Sequence, residues 1–190
     1  MSIDLLPDLA FRPCGPASRA ALAGGWSTLL EVAEYVSNLP YGRNSNRADY
    51  LLVFTEKRGT CSTKHALLAA LGREQDIDVH LVLGIYEMDG TNTPGVGSVL
   101  KKHGLRALPE AHCFMRYQGE VIDVTMPAAS QIGRSDRVYL YEEIIRPVDI
   151  GAYKVDLHHR VLREWLSSQN VDMTNDVVGI GRVGSWRYGK

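Results

Sequence analysis

Cysteine is scarce in this chain: Cys14, Cys61 and Cys113 are the only three among 190 residues. So small and odd a number does not build a disulfide framework. No two of them form a Cys-x-x-Cys pair, so the usual spacing of a structural zinc site is missing. An excess of one charge is missing too, because 21 basic residues meet 22 acidic ones for a formal net charge of -1. Without a basic surplus, nucleic acid is not an expected partner. Apolar runs stay far below the roughly 20 residues of a bilayer-spanning helix, so no membrane partner is expected. The opening MSIDLLPDLAFRPCGP carries Asp4 and Asp8 and lacks the charged-then-apolar layout of a secretory signal, which makes the cytoplasm the expected location. No repeat, low-complexity tract or recognisable calcium-binding loop is present, and no cofactor is expected.

What is present is a chain 45% hydrophobic, enough for one ordinary domain with its own core. Residues 1–190 read as a single domain: an irregular arm over 1–25, with room for one short helix, a core over about 26–166, and a polar, glycine-rich tail from 167. WSTLLEVAEYVSN places Trp26, Leu29, Leu30, Ala33 and Val36 on one face of a helix that Pro40 stops. LLVF at 51–54 is too short to classify. Ala66, Leu67, Ala70 and Leu71 recur at helical spacing, and Thr60 is the candidate N-cap, so Cys61 falls in the first turn of a buried helix. VHLVLGIY (79–86) reads as a strand. The glycine-rich segment from Met88 to Glu110 reads as a long loop that holds one short helix around VGSVLKKHGL. AHCFMRY and EVIDVT flank Gln118-Gly119, a two-residue hairpin turn. RVYLYEEII (137–145) suits a strand, and DLHHRVLREWL (156–166) a helix with Leu157, Val161, Leu162 and Trp165 inward. Helices first, then sequential strands, then a helix predicts an α+β fold with an antiparallel sheet.

Chemistry concentrates at Cys61, His112 and Asp123. Unsatisfied N–H groups at a helix start carry roughly half a positive charge, which favours the reactive thiolate over the thiol. Lys57 and Arg58 stand just upstream, placed to add to that effect. The Cys61 N–H is itself a candidate oxyanion donor. A plain buried cysteine is the competing reading of Cys61 taken alone. On the hairpin, a turn at 118–119 sets Tyr117 opposite Glu120 and His112 opposite Thr125. Asp123, two residues before Thr125, then shares a face with His112 as its diagonal neighbour. A register slip of one residue would separate them. A carboxylate among Val121, Ile122 and Val124 needs a partner, and an imidazole supplies one. A thiolate, a base and an orienting carboxylate are the parts of thiol catalysis.

RGTCSTKHALLAALGRE followed by EAHCFMRYQGEVIDVT resembles the core of the transglutaminase-like superfamily, over roughly residues 57–125. The resemblance implies a papain-like transglutaminase-core fold, with the nucleophile at a helix N-terminus packed on an antiparallel sheet. It implies Cys61 as nucleophile, His112 as general base and Asp123 as orienting acid. It also implies thiol-dependent acyl transfer or hydrolysis at amide bonds, on a peptide or protein substrate with water or an amine as acceptor. The His112–Asp123 spacing is shorter than in the larger transglutaminases and implies a tight hairpin. Cys113-Phe114 stands where many relatives carry an aromatic directly after the histidine. The family tends to take a second oxyanion donor from upstream of the nucleophile, where Tyr41, Asn44 and Asn46 lie. Lys101 and Lys102 are expected at the cleft rim, because their segment leads into His112.

Two other readings use the same residues. A non-catalytic binding or scaffold module would keep the fold without the reaction. A metal site would draw on Cys61, His65, His112 and Cys113, but adjacent strand residues point to opposite faces, so His112 and Cys113 do not readily share an ion. His158 and His159 diverge by about 100° on a helix, which marks a solvated face rather than a paired site.

Overall fold

Helix α4, Cys61–Glu74, is buried without interruption from Cys61 to Gly72. A helix covered on every side belongs in the middle of a domain. The computed structural model describes residues 3–93, 95–127 and 137–168, and its architecture is arranged around this helix. In chain order the elements are α1 Pro16–Ala23, α2 Leu29–Asn38, α3 Leu52–Glu56, α4, β1 Val79–Asp89, α5 Gly97–Lys102, β2 Ala107–Tyr117, β3 Glu120–Ile122, β4 Tyr139–Ile145 and α6 Ala152–Ser168. The four strands form one antiparallel sheet in the order β3-β2-β1-β4. The fold is therefore α+β, as the order of elements predicts.

The two sides of α4 meet different partners. Leu67, Leu68 and Leu71 pack with Ala17, Ala21, Val32 and Val36 of α1 and α2, and with Met115 and Ile122 of the hairpin. Ala66 and Ala69 face Leu81, Leu83, Ile85, Ala111 and Cys113 on the sheet, and Leu157 of α6 closes that cluster. Small residues on this second face let the helix lie close to the strands. Gly72 allows the closest approach, since a Cβ there would overlap Val79.

Several boundaries move for local reasons. Helix α2 starts at Leu29 rather than Trp26, because Thr28 caps it: Thr28 Oγ1 accepts the Glu31 N–H, and Glu31 answers by accepting the Thr28 N–H, both at 3.2 Å. Trp26 stays outside the helix and stacks on Tyr35 and Phe54. The unclassified LLVF stretch contributes α3. The expected arm carries α1, which is tied to the far end of α4 where the Ala17 and Ser18 N–H groups donate to Glu74 at 2.9 and 2.7 Å. The expected long loop is largely structured, for β1 continues to Asp89 and β2 begins at Ala107. Pro109, which has no N–H to give the ladder, made that stretch read as loop although it pairs with Glu87. Helix α6 is longer than expected and buries Leu157, Leu162 and Leu166, with Val161 and Trp165 partly covered. The expectation for the tail falls outside the described residues, apart from Ser167 and Ser168, which end α6. Among the described residues no helix is long and apolar enough to cross a membrane.

Candidate active site

Thr60 sets the start of α4. Its Oγ1 accepts from the Thr63 N–H, and its own N–H donates to Thr63 Oγ1 at 3.0 Å. Cys61 is thereby the first helical residue, where the backbone N–H has no partner within the helix. The side chain is buried, with Cys61 only 7% exposed. Its Sγ lies 3.8 Å from Lys154 Nζ on α6 and 3.9 Å from Ser62 Oγ. Burial works against ionisation of this thiol. The Lys154 ammonium, then the His112 imidazole, with a smaller part from the Cys113 backbone, outweigh it and hold the thiol well below its usual range. The two upstream cations expected to help, Lys57 and Arg58, are exposed and are not among these causes.

The hairpin register is the one the turn predicts: Tyr117 pairs with Glu120 and Met115 with Ile122. Gln118 and Gly119 both adopt positive φ, 51° and 85°, the geometry of a tight primed turn. His112 Nε2 and Asp123 Oδ2 are 2.8 Å apart, both residues buried. With Nε2 engaged by the carboxylate, Nδ1 is the ring nitrogen left for the sulfur. Burial disfavours the imidazolium, but the charges of Asp123 and Cys61 raise His112 above its ordinary value. Burial likewise opposes the Asp123 carboxylate, while His112 beside it holds that group well below the usual range. Asp123 Oδ1 also accepts the Thr125 N–H at 2.9 Å. Arg137 adds a cation 3.6 Å from Asp123 Oδ2, with its guanidinium 4.6 Å above the Tyr86 ring.

Pairing of β3 with β2 stops at Ile122, short of the expected strand end at Thr125, because the next residues are held by α4 instead. Val124 N–H donates to His65 Nε2 at 2.8 Å, and His65 Nδ1–H donates to the Cys61 carbonyl at 2.7 Å. Both ring nitrogens of His65 are thus engaged by backbone, which leaves none for the metal ion considered above. Burial lowers its proton affinity, in keeping with a neutral ring. The preceding Lys64 is fully buried, and its Nζ donates to the carbonyls of Leu39 at 2.7 Å and Thr125 at 3.0 Å. Among the described residues, no three His, Cys, Asp or Glu side chains are grouped to hold a metal ion.

Lys64, His65, Lys154 and Arg137 were not singled out as parts of the catalytic site from sequence. Only the four-residue spacing of Cys61 and His65 gave a signal, and it suggested metal ligation. Asn44 is the upstream oxyanion candidate whose donors are already engaged. Both amide hydrogens of Asn44 are taken, by Glu56 Oε2 and the Arg58 carbonyl at 3.0 Å each, and its Oδ1 accepts from Thr63 Oγ1. Asn46 is exposed and closes an Asx turn by accepting the Ala48 N–H. Tyr41 is half-buried and bridges to Gly59 just before the helix cap. Lys101 and Lys102 are exposed at the end of α5, whose Leu100 packs beside Leu108 and Tyr86.

A central helix that begins with a buried, ionisable cysteine and packs on an antiparallel sheet, with a strand His paired to an Asp just past the end of β3, defines a papain-like class of protein. The family model of the transglutaminase-like superfamily matches residues 22–119, and the chain belongs to that superfamily. The match takes in Cys61 and His112 and stops before Asp123, Arg137 and Lys154. No curated protein and no solved structure matches the chain.

Proposed function

We propose that this protein is a thiol-dependent enzyme acting at amide bonds, with Cys61 as nucleophile, His112 as general base and acid, and Asp123 as the carboxylate that orients it. The observation that carries this reading is the buried 2.8 Å His112–Asp123 contact, on a ring whose charge also favours the Cys61 thiolate. The thiolate attacks the amide carbonyl carbon and the carbonyl becomes an oxyanion. The Cys61 N–H, free at the helix start, is placed to receive that charge. When the tetrahedral adduct collapses, the C–N bond breaks and His112 gives its proton to the departing amine. The thioester left on Cys61 is then opened by water or by a second amine, whose proton passes back to His112. Water makes the enzyme a peptidase or amidase, and an amine makes it a transglutaminase. The substrate class on this reading is a peptide or protein amide.

The test is an activity-based thiol probe applied to the full chain and competed with glutamine-containing peptides and with small primary amines. Labelling confined to Cys61 and reduced by peptide is the expected result. Cys61→Ala should remove labelling and all amide turnover while keeping the far-UV circular dichroism of the parent. Turnover that survives in Cys61→Ala would refute the assignment.

A further inference from the structure

Helix α6 lies beyond the matched family residues, yet Lys154 of that helix reaches the nucleophile. Its Nζ donates to Ser62 Oγ at 2.7 Å and stands 3.8 Å from Cys61 Sγ. Ser62 Oγ is itself 3.9 Å from that sulfur, so ammonium, hydroxyl and sulfur form one close triangle at the first turn of α4. We propose that Lys154 is a second cation of the nucleophile, keeping the Cys61 sulfur ionised whether or not His112 carries a proton. This rests on the reading of Cys61 as the reacting atom.

The geometry explains why one cation beside the sulfur is not a duplicate of the other. His112 must gain and lose a proton during the reaction, so its charge at the sulfur comes and goes. Lys154 keeps its charge. Burial opposes the ammonium, but Cys113, Cys61 and Glu110 around it raise its proton affinity above the ordinary lysine value. The Cys113 thiol, pushed up to about 11 mainly by burial, is neutral near pH 7, which leaves the Cys61 thiolate, 3.8 Å away, as the anionic partner of the ammonium.

The titratable groups around the sulfur come from four directions, one of them β1, whose buried Tyr86 phenol is raised in part by the Cys61 charge. From β2 come Glu110, His112 and Cys113; from α6, Lys154 and His158; from α4, Lys64 and His65. Burial raises the Glu110 carboxyl, with His158 and Lys154 pulling the other way, and His158 Nε2 is 3.9 Å from its Oε2 while donating to the Pro109 carbonyl at 3.0 Å. His65 is held neutral by its two backbone bonds, and Lys64 points to Leu39 and Thr125. Lys154 is the permanent cation nearest the sulfur in this set.

The experiment follows Cys61 in the full chain by thiolate absorbance and by the rate of iodoacetamide labelling of its peptide, from pH 4 to 10, in the wild type and in His112→Asn, Lys154→Met and the double variant. In His112→Asn the sulfur should still titrate below the ordinary thiol range near 8.5. At pH 6 that variant should label at least about tenfold faster than the double variant, the ratio that follows from one unit of proton affinity. Lys154→Arg in the His112→Asn background should keep the low titration, which a merely structural role for the lysine stem would not require. A His112→Asn protein whose Cys61 titrates like a free thiol would overturn the proposal, and this arm decides even if Lys154→Met fails to fold. The titration reads the sulfur itself. Absence of amide turnover in the wild type would therefore count against the function proposed above and leave this result standing.

Discussion

His65 accepts the backbone N–H of Val124 at 2.8 Å, one residue beyond the carboxylate that orients His112. The same ring donates to the carbonyl of Cys61, so one buried side chain joins the Cys61 backbone to the residue after Asp123. His65→Leu removes both bonds and leaves the buried Val124 N–H unpaired, at about 1–3 kcal/mol, while the Cys61 carbonyl keeps the backbone N–H of residue 65 as its helical partner. We expect His65→Leu to lose on the order of 1–3 kcal/mol in urea unfolding and most of its Cys61 reactivity. His65→Gln, which can still accept from Val124, should recover part of both, and equal losses in the two variants would show that packing alone matters here.

Asp123→Asn should affect turnover far more than stability. The amide keeps the volume but presents no charge to His112, so the ring loses the group that fixes its tautomer and stabilises its protonated form. The expected loss in kcat is about 10²–10⁴-fold. A melting temperature that collapses with activity unchanged per folded molecule would mark the residue as structural.

Lys64 carries a pH signature. Burial lowers its pKa from the ordinary lysine value of 10.5 to about 8, against the pull of Asp123 and Cys61. Between these values the unfolded chain binds more protons at this residue than the folded one, so stability rises with pH across that window and the gain is lost as pH falls through about 8. The difference in unfolding free energy between wild type and Lys64→Met should therefore shift in favour of the wild type by on the order of 2–3 kcal/mol between pH 7.5 and 10.5. Urea denaturation at four pH values measures this, and a constant difference would contradict it.

The hairpin turn sets the register that brings His112 to Asp123. Gly119 at φ 85° suits glycine, whereas Gln118 at φ 51° is a side chain in left-handed backbone. Gly119→Val should cost about 1–2 kcal/mol, and Gln118→Asn should add about 0.5 kcal/mol by supplying the residue that such turns favour. Thermal unfolding monitored by circular dichroism checks both, and a stabilising Gly119→Val would mean that the turn differs from the one described.

The parts of the site that depend on short-range rules were legible in the sequence. Helix periodicity and a threonine cap placed Cys61, and strand alternation across a two-residue turn placed His112 beside Asp123. The remaining parts arise from packing between elements far apart in the chain. Lys154 meets Cys61 across 93 positions, and nothing local distinguishes it from the exposed Lys101 or Lys102. Lys64 and His65 interrupt an apolar stretch, and a reading by periodicity treats such residues as tolerated exceptions. Their three acceptors and one donor lie on Leu39, Thr125, Cys61 and Val124, and backbone groups carry no mark in a sequence. Asn44 shows the reverse error. A loop asparagine before a nucleophile suggests a free donor, but its amide is occupied in bracing the loop against Glu56 and Arg58.

Because α4 begins with the sulfur and also grips residues 124 and 125 through consecutive side chains, it acts as a common rail for Cys61 and Asp123. A small slide or tilt of this rod carries thiolate and carboxylate in step, and their spacing survives the breathing of the surrounding domain. Alignment is thus least sensitive to disturbance along the rod and most sensitive to anything that shifts the β2 imidazole sideways from it.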